Sequence, residues 1–352
     1  MGLSLKNLKS PLDYAYPNAR VMALKSFMLK EDDMKGLVAA KNLEEYISLL
    51  EHTPYKQGMG KITATEIEGI ENALLSSLIA VNRLALGIAP RDTQKFFAAY
   101  MAVHEVELLK LIINSFEPRE DGKREDTDYS VYDPILSSDA KRFVKEAADA
   151  KTKKEAIELL KGTNYDFLCD ATAEDLNLQG YTSSMLDKHY YENLWDAIEG
   201  VSSQDAEYLK KLVGTEIDIT NIMILLRSTL CGCRAERFTI SGGFRLASRI
   251  GGLSGKDAAE IESFLSSTFY RDAVSEGMKN YEKEKSLLRL ELMFKKRILA
   301  EYRRVFLGNP FHIGVLLGFL KLKEYEVKNL RAIAVAVENG LNPRDIMELV
   351  IT

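Results

Sequence analysis

Residues 324–330, EYEVKNL, carry a pattern of acidic and apolar residues that occurs three times in the chain. The other copies are EVELLKL at residues 105–111 and EIDITNI at residues 216–222, so successive copies begin 111 and 108 residues apart. Recurrence of one pattern at a fixed period is the sequence signature of a repeated structural unit. The sequence therefore predicts three similar units.

A second pattern, with no similarity to the first, has almost the same period. It is a short stretch that starts with polar residues, continues with acidic and apolar residues and ends in an aromatic residue. Its three copies end at Tyr55, Tyr165 and Tyr270, which are 110 and 105 residues apart. Because two independent patterns agree, repetition is a better explanation than coincidence, and it predicts a body with pseudo-threefold symmetry.

The distribution of helix breakers and helix caps predicts an all-α protein. None of the eight prolines lies between Pro134 and Pro310, although proline is the residue that interrupts helices most strongly. Strand signals are nearly absent from the sequence. Capping residues stand where helices are expected to start, at Asn18, at Asn42, at Thr152 with Glu155, at Ser254 with Asp257, and at Asn342 followed by Pro343.

Each predicted unit begins with short helices that end near its tyrosine and continues with a pair of long helices. The first helix of the last pair is expected to run unbroken from Met278 to about Phe306. The long helices are expected at about 65–86 and 91–115, 183–198 and 204–230, and 276–306 and 312–339. The predicted boundaries are 1–117 for unit one, 118–134 for a charged linker, 135–232 for unit two and 233–352 for unit three.

Composition narrows the class of protein and its partners. With 46% hydrophobic and 28% charged residues, the 352-residue chain has the composition of an ordinary globular protein. Its net charge of −5 argues against general nucleic-acid binding, which depends on Lys and Arg. A signal-peptide core and the roughly 20 apolar residues of a membrane span are both missing, so any membrane association is expected to be peripheral. Three cysteines are too few for a disulfide framework and indicate a reducing compartment.

The motifs assign no catalytic, cofactor-binding or metal-ligating residue. The stretch GGLSGKD at 251–257 has one residue too few between its glycines for a P-loop, and Asp257 would repel phosphate. Cys231 and Cys233 lack the further ligands of a zinc site. The acidic residues 31–33 lack the partner motif of a magnesium-dependent helical enzyme and are expected in a solvated turn where a helix ends.

The acidic residues of the repeated pattern are expected to have a structural role. Side chains two positions apart on a helix point about 200° apart, so Glu216 and Asp218, or Glu324 and Glu326, cannot bind one ion together. One acid of each pair is expected to form hydrogen bonds within its unit while the other faces water. The scattered histidines are expected to pack in the interior or lie on the surface, at His52, His104, His189 and His312.

Three segments resemble, in their order and spacing, the C subunit of the archaeal and bacterial A/V-type ATPases, which is equivalent to the d subunit of the eukaryotic V-ATPase. The resemblance extends over residues 14–346 and includes no catalytic motif. The segments are YAYPNARVMALKSFMLKEDDMKGLVAAKNLEEYISLLEHTPY at 14–55, TEIDITNIMILLRSTLCG at 215–232 and PFHIGVLLGFLKLKEYEVKNLRAIAVAVENGLNPRDI at 310–346.

This resemblance implies an all-helical funnel or socket on the cytoplasmic face of the membrane rotor ring, holding the tip of the central shaft. The implied function is a non-catalytic coupling that carries rotation between the shaft and the ring for proton or sodium transport. The implied partners are the central-shaft subunits and the proteolipid ring, without a cofactor or nucleic acid and with only peripheral contact to the membrane. The residues that contact these partners are not identified by the resemblance.

Two further functions are compatible with the composition. A free-standing helical adaptor of soluble proteins would look the same, and cofractionation with membranes through an ATPase complex separates it from a rotor subunit. An all-helical enzyme would need a pocket with matched ionisable groups, and turnover of a diphosphate or a nucleotide by the purified chain would identify it.

Overall fold

A computed structural model describes residues 11–60, 62, 66–117 and 128–351. These residues form helices joined by turns and short 3-10 segments, with no strand among them, so the predicted all-α class is confirmed. The funnel of three similar units stays a prediction. The helices are α1 Pro11–Lys25, α2 Glu31–Val38, α3 Leu43–Leu50, α4 Lys56–Met59, α5 Ile67–Ile88, α6 Gln94–Asn114, α7 Ser138–Ala147, α8 Lys153–Glu158, α9 Ala173–Asn177, α10 Tyr181–Asp196, α11 Ser203–Cys231, α12 Ala258–Leu265, α13 Arg271–Glu284, α14 Leu288–Arg304, α15 Ile313–Glu338 and α16 Pro343–Leu349.

The chain divides into two compact units. The terminal unit comprises residues 1–93 and 201–352 and so contains both ends of the chain, and the central unit comprises residues 94–200. The division into three sequence repeats with a linker at 118–134 stays a prediction, and residues 118–127 of that linker lie outside the described residues.

Helix α15 is the centre of the terminal unit. It packs against α1, α3, α5, α11 and α14, and most of its side chains are buried on all sides rather than along one stripe. The buried residues are mostly apolar, and the buried charged ones, Lys321, Lys323 and Glu326, form ion pairs. Each fully buried Leu or Ile contributes about 1.5–3 kcal/mol, so α15 holds the surrounding helices together.

The central unit is built around α6 and α10, which pack against each other, while α7 and α8 cover α6. The aromatic side chains of Phe96, Phe97 and Tyr100 are almost fully buried. The Tyr190 hydroxyl, on α10, donates a hydrogen bond of 3.2 Å to the Tyr100 carbonyl oxygen on α6. This bond satisfies a polar group inside the core and fixes the register of the two helices.

Five of the six predicted long helices occur within a few residues of their expected bounds, as α5, α6, α10, α11 and α15. Three of the predicted caps are confirmed as well. The side chains of Asn42, Thr152 and Asn342 each accept a hydrogen bond from a backbone N–H in the first turn of the helix that follows. These are local interactions, which a sequence pattern is able to specify.

Two predicted caps are wrong. Helix α1 begins at Pro11, so Asn18 lies inside it, and the Asn18 amide donates to the Pro310 carbonyl oxygen instead of capping a helix. The cap of α12 is Asp257 rather than Ser254. Asp257 accepts from the Glu260 N–H at 2.8 Å while the Glu260 carboxylate accepts from the Asp257 N–H at 3.1 Å, so the capping box starts three residues later than predicted.

The predicted unbroken helix from Met278 to Phe306 is wrong. Helix α13 ends at Glu284, Lys285 takes a left-handed conformation with φ of 53°, and α14 starts at Leu288. The two helices fold against each other at Gly277, where a Cβ atom would lie 2.6 Å from the Leu290 Cβ. The contact between Gly277 and Leu290 explains the break. Leu290 is fully buried there, and a single straight helix could not bring these two residues together.

Candidate functional site

The tyrosines of one repeated pattern bind the acids of the other. In the terminal unit the Tyr55 hydroxyl donates to Glu326 Oε1 at 2.7 Å, and the Tyr270 hydroxyl donates to Asp218 Oδ2 at 2.9 Å. In the central unit Tyr165 forms a side-chain hydrogen bond with Glu105. The two sequence patterns therefore describe the two halves of one recurring contact.

Each of these carboxylates also accepts a backbone hydrogen bond from a residue that precedes the tyrosine by 25 to 28 positions. The bonds run from the Leu29 N–H to Glu326 at 2.7 Å, from the Ser137 N–H to Glu105 at 2.9 Å and from the Arg245 N–H to Asp218 at 2.7 Å. One carboxylate on a long helix thus joins the start and the end of a segment of short helices. We call this arrangement a carboxylate clasp.

The clasps correct the alignment of the repeats. The equivalent acids are Glu105, Asp218 and Glu326, which are 113 and 108 residues apart. Matching Glu105 with Glu216 and Glu324 was wrong by two positions, because a residue two positions away on a helix faces the opposite side. Each clasp joins the long helix of one predicted repeat to the short helices of the next. The clasp at Glu326 joins the segment from Leu29 to Tyr55 to α15.

The clasp tyrosines are held in their protonated form. Burial first, and the adjacent carboxylate second, raise the pKa of Tyr55, Tyr165 and Tyr270. Burial also raises the pKa of the Asp218 carboxyl, although backbone N–H donors and the Tyr270 hydroxyl act in the opposite direction. Each tyrosine therefore remains a hydrogen-bond donor at physiological pH.

The Glu326 clasp contains an additional cation. Lys323 Nζ lies 2.7 Å from Glu326 Oε1 and 4.2 Å from the centre of the Tyr55 ring. Both charged side chains are buried. Buried charges are costly unless they are paired, so removal of either partner is expected to cost about 3–5 kcal/mol.

The expectation that one acid of each pair faces water is wrong for the second and third copies. Glu216 is buried, accepts a hydrogen bond from the Tyr302 hydroxyl and lies 3.1 Å from Lys321 Nζ. Glu324 pairs with the same Lys321 at 3.0 Å and with Lys328 at 2.6 Å. Glu216 and Glu324 thus share one buried lysine, and with Tyr302 this cluster connects α11, α14 and α15.

The charge state of this buried cluster follows from its ion pairs. Burial disfavours the ionised form of Glu324, but the positive charges of Lys321 and Lys328 outweigh it and hold the pKa of Glu324 well below its usual range. Glu324 is therefore ionised at neutral pH. The cluster links three helices, α11, α14 and α15, through hydrogen bonds and ion pairs, and a buried network of satisfied polar groups favours a rigid arrangement.

Sequence reasoning missed two asparagines that fasten loops to the long helices. Asn221 exchanges two hydrogen bonds with Ile240, of 2.9 and 2.8 Å, and Asn329 exchanges two with Ile351, of 2.8 and 2.9 Å. Each asparagine lies three positions after a clasp acid. The signal was present, because both copies of the pattern contain asparagine at the same place, EIDITNI and EYEVKNL.

The motifs that were considered for chemistry occupy structural positions. The 251–257 stretch leads into α12, where Asp257 is the cap. Gly232, between the two cysteines, ends α11 in a left-handed conformation with φ of 69°. Residues 31–33 were expected where a helix ends, but they form the first turn of α2, with Glu31 paired to Lys35 at 2.8 Å on the surface.

The histidines are scattered singly in the structure as well. His312 stacks on Tyr208 with ring centroids 3.8 Å apart, and His189 lies against Phe167 and Tyr165. His104 is buried. Burial lowers the pKa of His189 and of His312. Within the described ranges, no group of three or more His, Cys, Asp or Glu side chains is arranged to hold a metal ion.

A helix that crosses a bilayer needs about 20 consecutive, mostly apolar residues. None of the helices in the described part of the chain is both long enough and apolar enough to cross a bilayer.

Comparison with known proteins identifies the family. The family model described as "ATP synthase (C/AC39) subunit" matches residues 17–349. The C subunit of the A-type ATP synthase from Methanocaldococcus jannaschii is 28% identical, with 96% of this chain and 86% of that protein aligned. The proteins of the same name from Thermococcus kodakarensis and Desulfurococcus sp. are 27% and 28% identical, each with 96% of this chain and 90% of the relative aligned.

The matched region contains all three clasp carboxylates and their tyrosines, and the match runs through both compact units of the fold. This chain belongs to the ATP synthase (C/AC39) subunit family.

Proposed function

We propose that the chain is a non-catalytic central-stalk subunit of a rotary A/V-type ATPase. In this function it couples the rotating central shaft to the membrane rotor ring during proton or sodium transport. The observation that carries the proposal is the family match over residues 17–349, together with relatives named as the C subunit of the A-type ATP synthase. The proposed partners are the shaft subunits and the ring, and the proposed location is peripheral, on the cytoplasmic face of the membrane.

The internal contacts support a mechanical function. A coupling must transmit torque without absorbing it, and close-packed helical interiors have low compressibility. In the terminal unit, two clasps tie the short helices to α11 and α15, and a buried ionic cluster links α11, α14 and α15. Hydrogen bonds and buried ion pairs resist sliding between helices, because displacement would leave charges unpaired.

The proposal is tested by deleting the gene and comparing membranes with and without the chain. ATP hydrolysis and ATP-driven ion pumping are measured on the same membranes, and the shaft and catalytic subunits are detected by antibody. We expect pumping to be lost while the soluble motor detaches or hydrolyses ATP without pumping. Adding back the purified chain should restore pumping.

Normal pumping by membranes without the chain would contradict the proposal. Loss of pumping with no restoration on add-back, while the add-back chain fails to bind the membranes, would contradict it as well. A free-standing adaptor would leave both hydrolysis and pumping unchanged.

A further inference from the structure

Three arginines of the terminal unit stack on phenylalanine rings. The guanidinium carbon of Arg297 lies 3.7 Å from the centre of the Phe269 ring, and that of Arg245 lies 4.3 Å from the same centre. The guanidinium carbon of Arg249 lies 4.4 Å from the centre of the Phe264 ring. Stacking fixes the plane of a guanidinium group and leaves its N–H edges available for a partner.

None of the three has a carboxylate within ion-pairing distance among the described residues. Other arginines are paired, as Arg227 is with Glu291 and Arg289 with Glu348, both at 2.8 Å. The Nε of Arg297 is buried without a hydrogen-bond partner in the described part of the chain. Because this Nε has almost no exposure to solvent, and an Arg297 NH₂ group donates to the Phe269 carbonyl oxygen at 3.5 Å, only part of the Arg297 N–H edge is left for a partner.

The two arginines at Phe269 are close neighbours. Because both lie against one ring, their guanidinium carbons are at most about 8 Å apart. Neither has an acidic partner among the described residues, so each can form a charge-assisted hydrogen bond with a carboxylate of a partner. Arg245 and Arg249 are exposed, so a partner has access from solvent.

The sequence around these arginines also carries a net positive charge. Residues 234–304 contain fifteen Lys and Arg against ten Asp and Glu, a net charge of +5 in a chain whose net charge is −5. Such a local excess of positive charge attracts a negatively charged partner. A protein segment fits better than a nucleic acid or a lipid surface, because the acidic remainder of the chain would repel an extended polyanion.

We propose that Arg245, Arg249 and Arg297 form a binding surface for an acidic segment of a protein partner. The guanidinium edges bind its carboxylates, and the Phe264 and Phe269 rings supply apolar contact. This surface goes beyond the proposed function, because it assigns binding residues in a chain for which the coupling proposal names none. It does not depend on which protein supplies the segment.

The test measures binding of a fluorescent oligoglutamate peptide to the purified full chain by anisotropy at low and high salt. The variant R245Q/R249Q/R297Q should weaken binding about tenfold and reduce its salt dependence, as expected for the loss of three exposed ion pairs. The matched control R227Q/R271Q/R289Q removes the same number of charges from arginines that already have acidic partners. It should change binding by less than about twofold.

Equal loss in the control variant would overturn the proposal, since net charge alone would then explain binding. Arginine-dependent binding of an RNA oligonucleotide or of anionic vesicles more tightly than the peptide would also overturn it. Unfolding of each variant is followed by circular dichroism, and the single variant R249Q replaces the triple variant if that one does not fold. Failure of the pumping test leaves this measurement unaffected, so the two proposals fail separately.

Discussion

At the scale of single residues, the clasps concentrate several hydrogen bonds on one carboxylate. Asp218 accepts from the N–H groups of Arg245 and Leu246 and from the Tyr270 hydroxyl. All of its neighbours are donors, so an ionised acid suits the position better than an amide, whose NH₂ group would face other donors. The position therefore selects an acid over an amide of the same shape.

Removing the clasp hydroxyl should destabilise the terminal unit. In Tyr55→Phe, Glu326 keeps its bonds to Lys323 and the Leu29 N–H, so we expect a loss of about 1–2 kcal/mol in the free energy of unfolding. Glu326→Ala should cost about 3–5 kcal/mol, because Lys323 remains buried without its partner. Urea unfolding of the full chain measures both, with the exposed Tyr16→Phe as control. A loss in Tyr16→Phe equal to that in Tyr55→Phe would contradict this account.

The buried ion pairs make stability depend on pH. The folded-state pKa of Glu324 lies below its usual 4.5, so its contribution is fully present above about pH 4.5 and is lost as the pH falls toward the folded-state value. Glu324→Gln should therefore be less stable than the parent chain at neutral pH, and the difference should shrink below pH 4.5. Urea unfolding at several pH values measures it, with the exposed Glu44→Gln as control. A difference that stays constant with pH would refute the assignment.

At the scale of helices, the hairpin of α13 and α14 depends on close approach at one glycine. A Cβ at Gly277 would lie 2.6 Å from the Leu290 Cβ, whereas a Cβ at Gly87, in the last turn of α5, would meet nothing within 4 Å. Substitution by alanine is therefore expected to destabilise the chain at Gly277 and to stabilise it at Gly87. Comparing the two variants distinguishes the effect of side-chain packing from the effect of helix propensity.

Gly277→Ala should lower the free energy of unfolding by about 1–3 kcal/mol, because the added methyl group overpacks the contact with Leu290. Gly87→Ala should raise it by about 0.5–1 kcal/mol, because alanine loses less backbone entropy in a helix. Thermal and urea unfolding measure both variants. Stabilisation by both substitutions would show that α13 and α14 do not pack as closely as described.

The conformation of Lys285 explains why the break between these helices was not predicted. A left-handed residue usually signals itself as glycine, but here it is a lysine, at a cost of about 1 kcal/mol. Lys285→Gly should remove that cost and stabilise the chain by a similar amount, measured by urea unfolding. Destabilisation would mean that the Lys285 side chain contributes more than its backbone conformation costs.

At the scale of the whole molecule, the all-α class, five long helices and the caps at Asn42, Thr152 and Asn342 could be predicted because they rest on local signals. The clasp tyrosines could be located as repeated residues, but not paired with their acids. Tyr55 and Glu326 are 271 positions apart, and the acids at 216 and 218 look equivalent until the facing side of the helix is known. No guanidinium surface was predicted, because an arginine without an acidic partner has no sequence signature.

The two compact units should differ in their ability to fold alone. The central unit is one continuous stretch with its own core, so the fragment 94–200 should unfold cooperatively. The fragment 1–93 lacks α15, against which Tyr46, Leu50 and Tyr55 are buried, so it should show no cooperative transition. Circular dichroism of both fragments tests this. A cooperative transition in fragment 1–93 would contradict the central position of α15.

The clasp between Tyr55 and Glu326 has a consequence for synthesis of the protein. The ribosome makes helices α1–α5 first, but their packing partner α15 begins only at Ile313. At about 5–20 residues per second, the interval between the end of α5 and the completion of α15 lasts roughly ten to fifty seconds. During that time the apolar faces of the first helices have no permanent cover. A nascent chain of this protein is therefore expected to need protection by chaperones until its last long helix emerges.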